Sequence, residues 1–589
     1  MSVTRLWFPL TGAMIPSRAA AVAAARKKGP IDPLSGPKLA LAGRVITMDN
    51  AFSTKSDAVV YIDKGSIVVV QDRAEPTPQD LAGVPIVETE GTIFPGLVEL
   101  HNHLSYNALP GWSPVPKRFN NRGQWPNHTE YRPLVSGPMT VLGQYKDGRD
   151  KYPLLAPLVR YVECKCLFGG VTTSQGIKLS SNAGIQRFYR GIVRNVEQTD
   201  DLDLPEAQAR IPDFAARDAA NFLARLKAED SCSLLHLSEG VTDPARPLSE
   251  ARKHFLALEI AKNKWALDKT FTGIHAAGLL PADFDVLASH ESSVVWSPLS
   301  NLLLYGGTAR VDAAKNAGVL IGLGSDWSPT GSKNLLGELK VAWLYNQKNL
   351  KGLFKAREIV AMATRDAARI LKWDKVLGSI KAGARADLLV IDSMATDPYK
   401  ALLNARETDI RLVMINGIAR YGWPDIMTKL APNNQTTKVG GQTRSLFLEQ
   451  ETADPDVGQI SLSKATDSLH IALSDIAKLA KEIEKPQPAV RAARVLDAAA
   501  TPVWSLALDE ICSCGVELAP RLPYDGPNDF TGPTRAPRVL AKSAPPLSTI
   551  LKPIRLDPLT VADDTNFLSQ MKLQPNVPRP IRERLSALY

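Results

Sequence analysis

The sequence predicts an α/β protein. The expected form is a (β/α)8 barrel with a composite β-sandwich domain from both flanks, followed by a largely helical and irregular C-terminal extension. Three observations carry this. Strand-like runs alternate with helical patterns over about 280 residues (95–378), which argues for parallel βα units, and the length suits eight of them with insertions. The segments on either side, 37–94 and 379–425, read as strands separated by turn signals. Polar residues suited to chemistry recur just after the apolar runs, where such barrels carry their sites. At 589 residues several domains are expected. These are an N-terminal arm (1–36), the composite β-domain (37–94 and 379–425), the barrel (95–378) and the extension (426–589).

In chain order, Leu39 to Met48, Ala58 to Ile62 and Ser66 to Gln71 are apolar and β-branched, with Asp63-Lys64-Gly65 as a turn. Gly96 to Leu100 is an apolar run that ends in His101-Asn102-His103. Val171-Thr172-Thr173, Ser233-Leu234-Leu235, Phe271 to Ile274, Ser293 to Trp296 and Val319 to Leu323 are the next strand candidates. Helical patterns lie between them, as in Phe214 to Lys227 and Ser249 to Lys262. After 378 the β pattern returns in Ala386 to Ile391 and Ile410 to Ile415, with Asn416-Gly417 as a turn. In the extension, Leu469, Leu473, Ile476, Ala480 and Ile483 share one helical face, expected to dock or to form a dimer. A second helical pattern covers Ala489 to Leu508, and the Pro-rich stretch beyond 518 is expected to wrap on the surface.

Composition excludes several classes. The net charge is +9, yet the excess forms no single basic stripe. The first 40 residues hold six Lys or Arg against one Asp, and residues from 426 onward hold 19 basic against 18 acidic side chains. A nucleic-acid partner is therefore not expected. No run is long enough to span a membrane. Five cysteines (Cys164, Cys166, Cys232, Cys512, Cys514) are too few and too scattered for a disulfide framework, and their spacing is not that of a zinc site. A reducing, cytoplasmic setting follows as an expectation.

Residues i and i+2 of a strand face the same way, so His101 and His103 can aim two imidazoles at one point. Imidazole is the commonest metal ligand. Adding the other strand-end residues, His236, Glu239, His275 and Asp326, completes the set a metal-dependent hydrolase needs. Three imidazoles and a carboxylate leave room for a water, whose pKa the metal lowers. Glu239, three residues past His236, is close enough to move protons, and His275 could polarise the substrate or stabilise an oxyanion. The alternatives for these residues are plainer: His236 and Glu239 as a helix-face pair, His275 as a rim residue, Asp326 as the N-cap of the helix near Asn334 to Tyr345. Trp296 and Trp327 could be packing residues or an aromatic wall. Arg122 lies in a long loop after His103 that is rich in Trp, Arg and Pro.

The ordered motifs resemble the amidohydrolase superfamily, in its mononuclear group related to cytosine deaminase, imidazolonepropionase and triazine hydrolases. The likeness lies in Pro95 to His103, Gly170-Val171-Thr172-Thr173, His236-Leu237-Ser238-Glu239 and His275 with Gly278-Leu279. It continues in Ser297-Pro298-Leu299-Ser300-Asn301, Leu323-Gly324-Ser325-Asp326 and Gly383 to Val390. It covers roughly residues 38–425. The resemblance implies a TIM-like barrel and one divalent metal held by His101, His103, His236 and Asp326. Zinc is the first expectation, with iron(II) or manganese(II) as alternatives. Glu239 and His275 would act on water and substrate, with Glu239 or Asp326 taking the water's proton. Trp296, Trp327, Asn301 and Arg122 are candidate contacts for a small-molecule substrate.

Three departures shape the functional expectation. Where nucleobase and triazine deaminases of this group often carry a histidine before Cys-Pro, this chain has Val295-Trp296-Ser297-Pro298. The first loop is long, and residues 426–589 match nothing in the group. No strand-end lysine is placed to bridge two metals, and Lys165 falls in a helical pattern. The expected activity is hydrolysis of a carbon–nitrogen bond in an amide, cyclic amide or urea-like molecule, with deamination of an aminated heterocycle as the alternative. A third possibility is a metal-binding scaffold whose extension binds a partner protein. A homo-oligomer formed through that extension is also possible.

Overall fold

The computed structural model describes residues 30–147, 152–181, 185–210, 216–485, 504–508, 529–530 and 545–589. Most of the N-terminal arm, Cys512 and Cys514, and the helix expected over 489–503 lie outside the described residues.

Eight short parallel strands run in sequence order: β1 (Leu97–Val98), β2 (Val171–Ser174), β3 (Arg194–Asn195), β4 (Gln208–Arg210), β5 (Ser233–Leu237), β6 (Phe271–His275), β7 (Ser293–Trp296) and β8 (Leu320–Leu323). The first three pair in order, as do the last five. Backbone hydrogen bonds link the two groups at both margins. Ala207 N donates to Val196 O between β3 and β4, and Leu100 N donates to Leu323 O between β1 and β8. Strands β2, β5, β6 and β7 are buried throughout, which is why they show no alternation of apolar and charged residues. Helices between them include Leu155–Phe168, Pro298–Tyr305 and Val311–Ala317, and Leu335–Lys348 follows the last strand. This is the TIM-barrel-like α/β architecture.

The two β-rich flanks meet in one nine-stranded sheet. Strand Ile86–Pro95 pairs with Leu388–Ile391 from the far side of the barrel. The sheet also takes in Gln435–Val439 and Gln442–Leu446, so it extends past residue 425, where the sequence pattern placed its end. The pattern expected as one helix over 469–483 is two, Leu462–Ser474 and Ile476–Ile483, with Asp475 between them. Leu469, Leu473, Ile476 and Ala480 are buried, and the first of the pair packs on helix Leu155–Phe168 of the same chain. Trp504–Leu506 is a strand paired with Lys178–Ser181, not the helix expected to run to Leu508. Residues 545–589 depart furthest from expectation. Leu551, Leu556, Asp557, Met571, Gln574, Val577 and Ile581 are buried, so this segment threads into the body of the molecule and does not simply wrap its surface. Among the described residues no helix is long and apolar enough to cross a membrane.

Candidate metal centre

The C-terminal ends of β1, β5, β6 and β8 deliver the predicted residues to one place. His101 Nε2 lies 3.0 Å from Asp326 Oδ1, and His103 Nε2 lies 3.5 Å from the same oxygen. His236 Nε2 is 3.3 Å from His103 Nε2. His101, His236 and His275 can offer nitrogens within 4.8 Å of one another, as can His101 and His103 with an Asp326 oxygen. All are buried except His103, whose side chain keeps 13% of its surface exposed. Backbone geometry contributes to this gathering. Ser238, His275 and Asp326 sit at φ of 48°, 68° and 67°, left-handed values that cost of order 1–3 kcal/mol each for residues other than glycine and cluster at functional sites. Gly324 allows the approach of β8 to β1, since a Cβ there would lie 2.5 Å from the Cβ of His101.

The hydrogen bonds around the imidazoles decide which nitrogen faces inward. Asn102 N–H donates to Gln175 Oε1 at 2.9 Å, so that atom is an acceptor. His101 Nδ1, 3.2 Å from the same oxygen, therefore carries the proton and leaves Nε2 as a bare lone pair toward Asp326. Buried Nε2 has no hydrogen bond, and two Nε2 atoms 3.3 Å apart face each other beside a carboxylate. Ring nitrogens converging beside a carboxylate in this way fit a cation. His275 is arranged in the opposite sense. Trp296 Nε1 donates to Thr308 Oγ1 (2.8 Å), Thr308 donates to Asn301 Oδ1 (3.1 Å), and Asn301 Nδ2 donates to His275 Nδ1 (3.0 Å). That places the His275 proton on Nε2, 3.7 Å from Glu239 Oε2.

Glu239 is held by three elements. Tyr305 Oη donates to Oε1 (2.7 Å), Trp125 Nε1 donates in turn to Tyr305 Oη (2.9 Å), and Arg122 Nη1 lies 3.9 Å from Oε2. Trp327 packs edge-on against His103 and Tyr106, with ring centroids 5.6 and 5.1 Å away, and lies 5.7 Å from Trp125. The long first loop thus lays Arg122 and Trp125 over the strand ends.

Of the residues singled out from sequence, His101, His103, His236, Glu239, His275, Asp326, Trp327 and Arg122 come together. Asn301 reaches the site through His275. Trp296 does not form a wall there: it is fully buried, bonded to Thr308 and packed against Tyr345. Asp326 is not the cap of the following helix, because Asn334 takes that position and accepts from Gly337 N. Sequence reasoning missed Gln175 and Tyr305. Gln175 follows the Val171 to Ser174 strand by one residue, the position that marked the other candidates. Tyr305, at the far end of a helix, carried no signal.

Burial pushes the His236 imidazole well below its ordinary range, with His101 and His103 adding to the effect. Burial likewise takes His275 down to about 4, against the pull of Glu239 and Asp326. Burial alone would raise the Asp326 carboxyl, but the imidazoles around it, His101 first, hold it well below the usual carboxylate range. At neutral pH His236 and His275 are therefore neutral imidazoles and Asp326 is a carboxylate, the forms in which these groups ligate. A pH experiment on the metal-free protein follows. The unfolded chain protonates His275 near 6.5 and the folded chain near 4, so between these values the unfolded state binds more protons and stability is lost as pH falls. Wild type should lose melting temperature relative to His275→Gln as the pH goes from about 6.5 to about 4. Parallel curves for the two proteins would contradict this.

Comparison with known proteins agrees with this geometry. The amidohydrolase family profile matches residues 235–420. The 5-methylthioadenosine/S-adenosylhomocysteine deaminase of Symbiobacterium thermophilum is 25% identical over 377 residues, 60% of this chain and 84% of that protein. The 5'-deoxyadenosine deaminase of Methanococcoides burtonii is 22% identical over 405 residues, 64% of this chain and 90% of its own length. The atrazine chlorohydrolase of Arthrobacter aurescens TC1, solved with zinc, superposes with a TM-score of 0.50 at 18% identity, covering 65% of this chain and 94% of that one. A triazine hydrolase variant gives the same values. At this identity the structural likeness speaks for the fold. An α/β barrel that gathers imidazoles and carboxylates at its strand ends has the form of a metal-hydrolase scaffold. The profile match over residues 235–420 and the curated relatives support a place for the chain in the amidohydrolase superfamily.

Proposed function

We propose that this protein is a single-metal hydrolase that deaminates an aminated heterocycle, exchanging a ring-bound amino group for the oxygen of water and releasing ammonia. It acts on a carbon–nitrogen bond other than a peptide bond, and its cofactor is one divalent ion, with zinc the expected occupant. The observation that carries the reading is the convergence of His101 Nε2 and His103 Nε2 on Asp326 Oδ1, with Glu239 alongside. The curated relatives named as adenosine-type deaminases set deamination ahead of amide opening. The eight parallel strands are taken as one closed (β/α)8 ring, since backbone bonds link both margins. The setting is taken as cytoplasmic.

His101, His103, His236 and Asp326 would hold the ion, which when bound lowers the pKa of a water toward neutrality. Glu239 takes the proton the attacking water gives up and returns it to the leaving nitrogen. Tyr305 anchors one of its oxygens and leaves Oε2 for that traffic. The Nε2–H of His275 donates to the atom on which negative charge develops, and the relay from Trp296 keeps it in that tautomer. Trp125 and Trp327 suit a flat ring and exclude water.

Metal content by plasma mass spectrometry, on wild type and Asp326→Asn, tests the site. One ion per chain, weakened in the variant, is expected, and a wild type that takes no metal overturns the reading. Ammonia release from 5'-deoxyadenosine, 5-methylthioadenosine and other aminated heterocycles tests the reaction. Opening of cyclic amides or ureas without ammonia would instead favour the second reading, to which the absent strand-seven histidine before Ser297-Pro298 points.

A further inference from the structure

Residues 545–589 lie more than two hundred positions beyond the last of the strand ends, yet one of them reaches the layer directly beneath the site. Asp557 is buried with every polar group engaged. Its Oδ2 pairs with Lys165 Nζ and its Oδ1 with Lys333 Nζ at 2.6 Å. Its carbonyl accepts from Tyr161 Oη (2.7 Å), and its N–H donates to Ala108 O (2.9 Å). Lys165 completes its three donations with Asn107 O (2.9 Å) and Ser328 Oγ (2.8 Å).

From there hydrogen bonds run to both strand ends that carry the carboxylate and the paired imidazoles. Asn107 Nδ2 donates to Asn102 Oδ1 (2.9 Å), and Asn102 Nδ2 donates to Glu99 Oε2 (2.9 Å). Glu99 Oε1 accepts from Ser325 N–H (2.9 Å) and from the Ser325 hydroxyl. Asn102 is the residue between His101 and His103, and Ser325 precedes Asp326. Ser328 N–H also donates to Asn107 Oδ1 (2.8 Å), tying the loop after β8 to the loop after β1.

We infer that Asp557 is a positioning residue for the metal centre: through Lys165 it sets the relative placement of the His101–His103 and Asp326 loops. Buried networks of this kind transmit geometry because each member has its donors and acceptors assigned, so a missing partner forces its neighbours to reorient. Groups behind the ligands of a metal tune its affinity by about 10- to 100-fold. The rest of the segment has a parallel role toward the first loop: Gln574 donates to Trp112 O and accepts from Val115 N, and Asn576 bridges Lys117 O and Leu303 O.

The inference rests on the metal reading, and the test separates the two. Full-length wild type, Asp557→Asn and the paired variant Lys165→Met/Asp557→Leu are titrated with zinc against a chromophoric chelator and with cobalt(II) by visible absorption. The paired variant removes the buried charges together, so it retains a fold if the single change does not. Expected are an affinity about 10- to 100-fold weaker and altered cobalt bands, at a melting temperature within a few degrees of wild type in the paired variant. A folded variant with wild-type affinity and bands overturns the inference and leaves the metal site standing. A wild type that binds no metal overturns the reading beneath it. Hydrogen exchange on wild type supplies a measurement that needs no variant. Coupling is reciprocal, so zinc should slow exchange at Asp557 N–H as well as over residues 99–108. Protection confined to 99–108 overturns the inference.

Discussion

Glu239→Gln is expected to keep the metal and lose about 10²- to 10⁴-fold in kcat, the range for removal of a general acid–base group. Glu239 is buried between Tyr305, Arg122 and His275, and none of these can take over a proton shuttle in its place. An arginine stays protonated, and the donor chain from Trp296 commits His275 to the Nε2–H form. The amide of glutamine can still accept the Tyr305 hydrogen bond, so the packing should survive. The check is steady-state kinetics with whichever substrate releases ammonia, alongside metal content on the same preparation. Full activity with a normal metal load would remove Glu239 from the mechanism and pass the proton role to Asp326.

Truncation after residue 425 should leave a chain that does not fold. This is the direct test of the alternative in which the extension is an independent partner-binding module. The cut removes Asp557 and Asp564, the carboxylates that neutralise buried Lys165 and Lys333. Breaking one buried pair costs about 3–5 kcal/mol, against a total stability of about 5–15 kcal/mol for a typical domain. It also strips two strands from the nine-stranded sheet and exposes the face of helix Leu155–Phe168 on which Leu462–Ser474 packs. Insoluble or molten material is expected by circular dichroism and gel filtration. A soluble 1–425 fragment with wild-type metal content would mean that the extension is dispensable to the fold, against its burial here.

The sequence alone was strong where local chemistry and local geometry coincide. Apolar runs ending in His101-Asn102-His103, His236, His275 and Asp326 announced both the strands and the side that carries the site. Two-residue periodicity aims the first imidazole pair, and parallel strands buried on both faces need uninterrupted apolar residues. Much of the β-rich flanks was legible in short-range pattern, although Gln435–Val439 and Gln442–Leu446, which join the same sheet, were not.

What could not be read were partnerships between residues far apart in the chain. Tyr305 against Glu239, Gln175 behind His101, and Thr308 between Trp296 and Asn301 are ordinary residues whose roles exist only once the strands converge. The same holds for residues 545–589, whose proline-rich approach and weak periodicity suggested a surface wrap. Their charges become meaningful only against Lys165 and Lys333 in the barrel. The sequence determined which residues could do the chemistry, since ligand type and spacing are local properties. Tertiary structure decided how those residues are held, because burial, tautomer and charge balance depend on contacts between segments separated by up to several hundred residues.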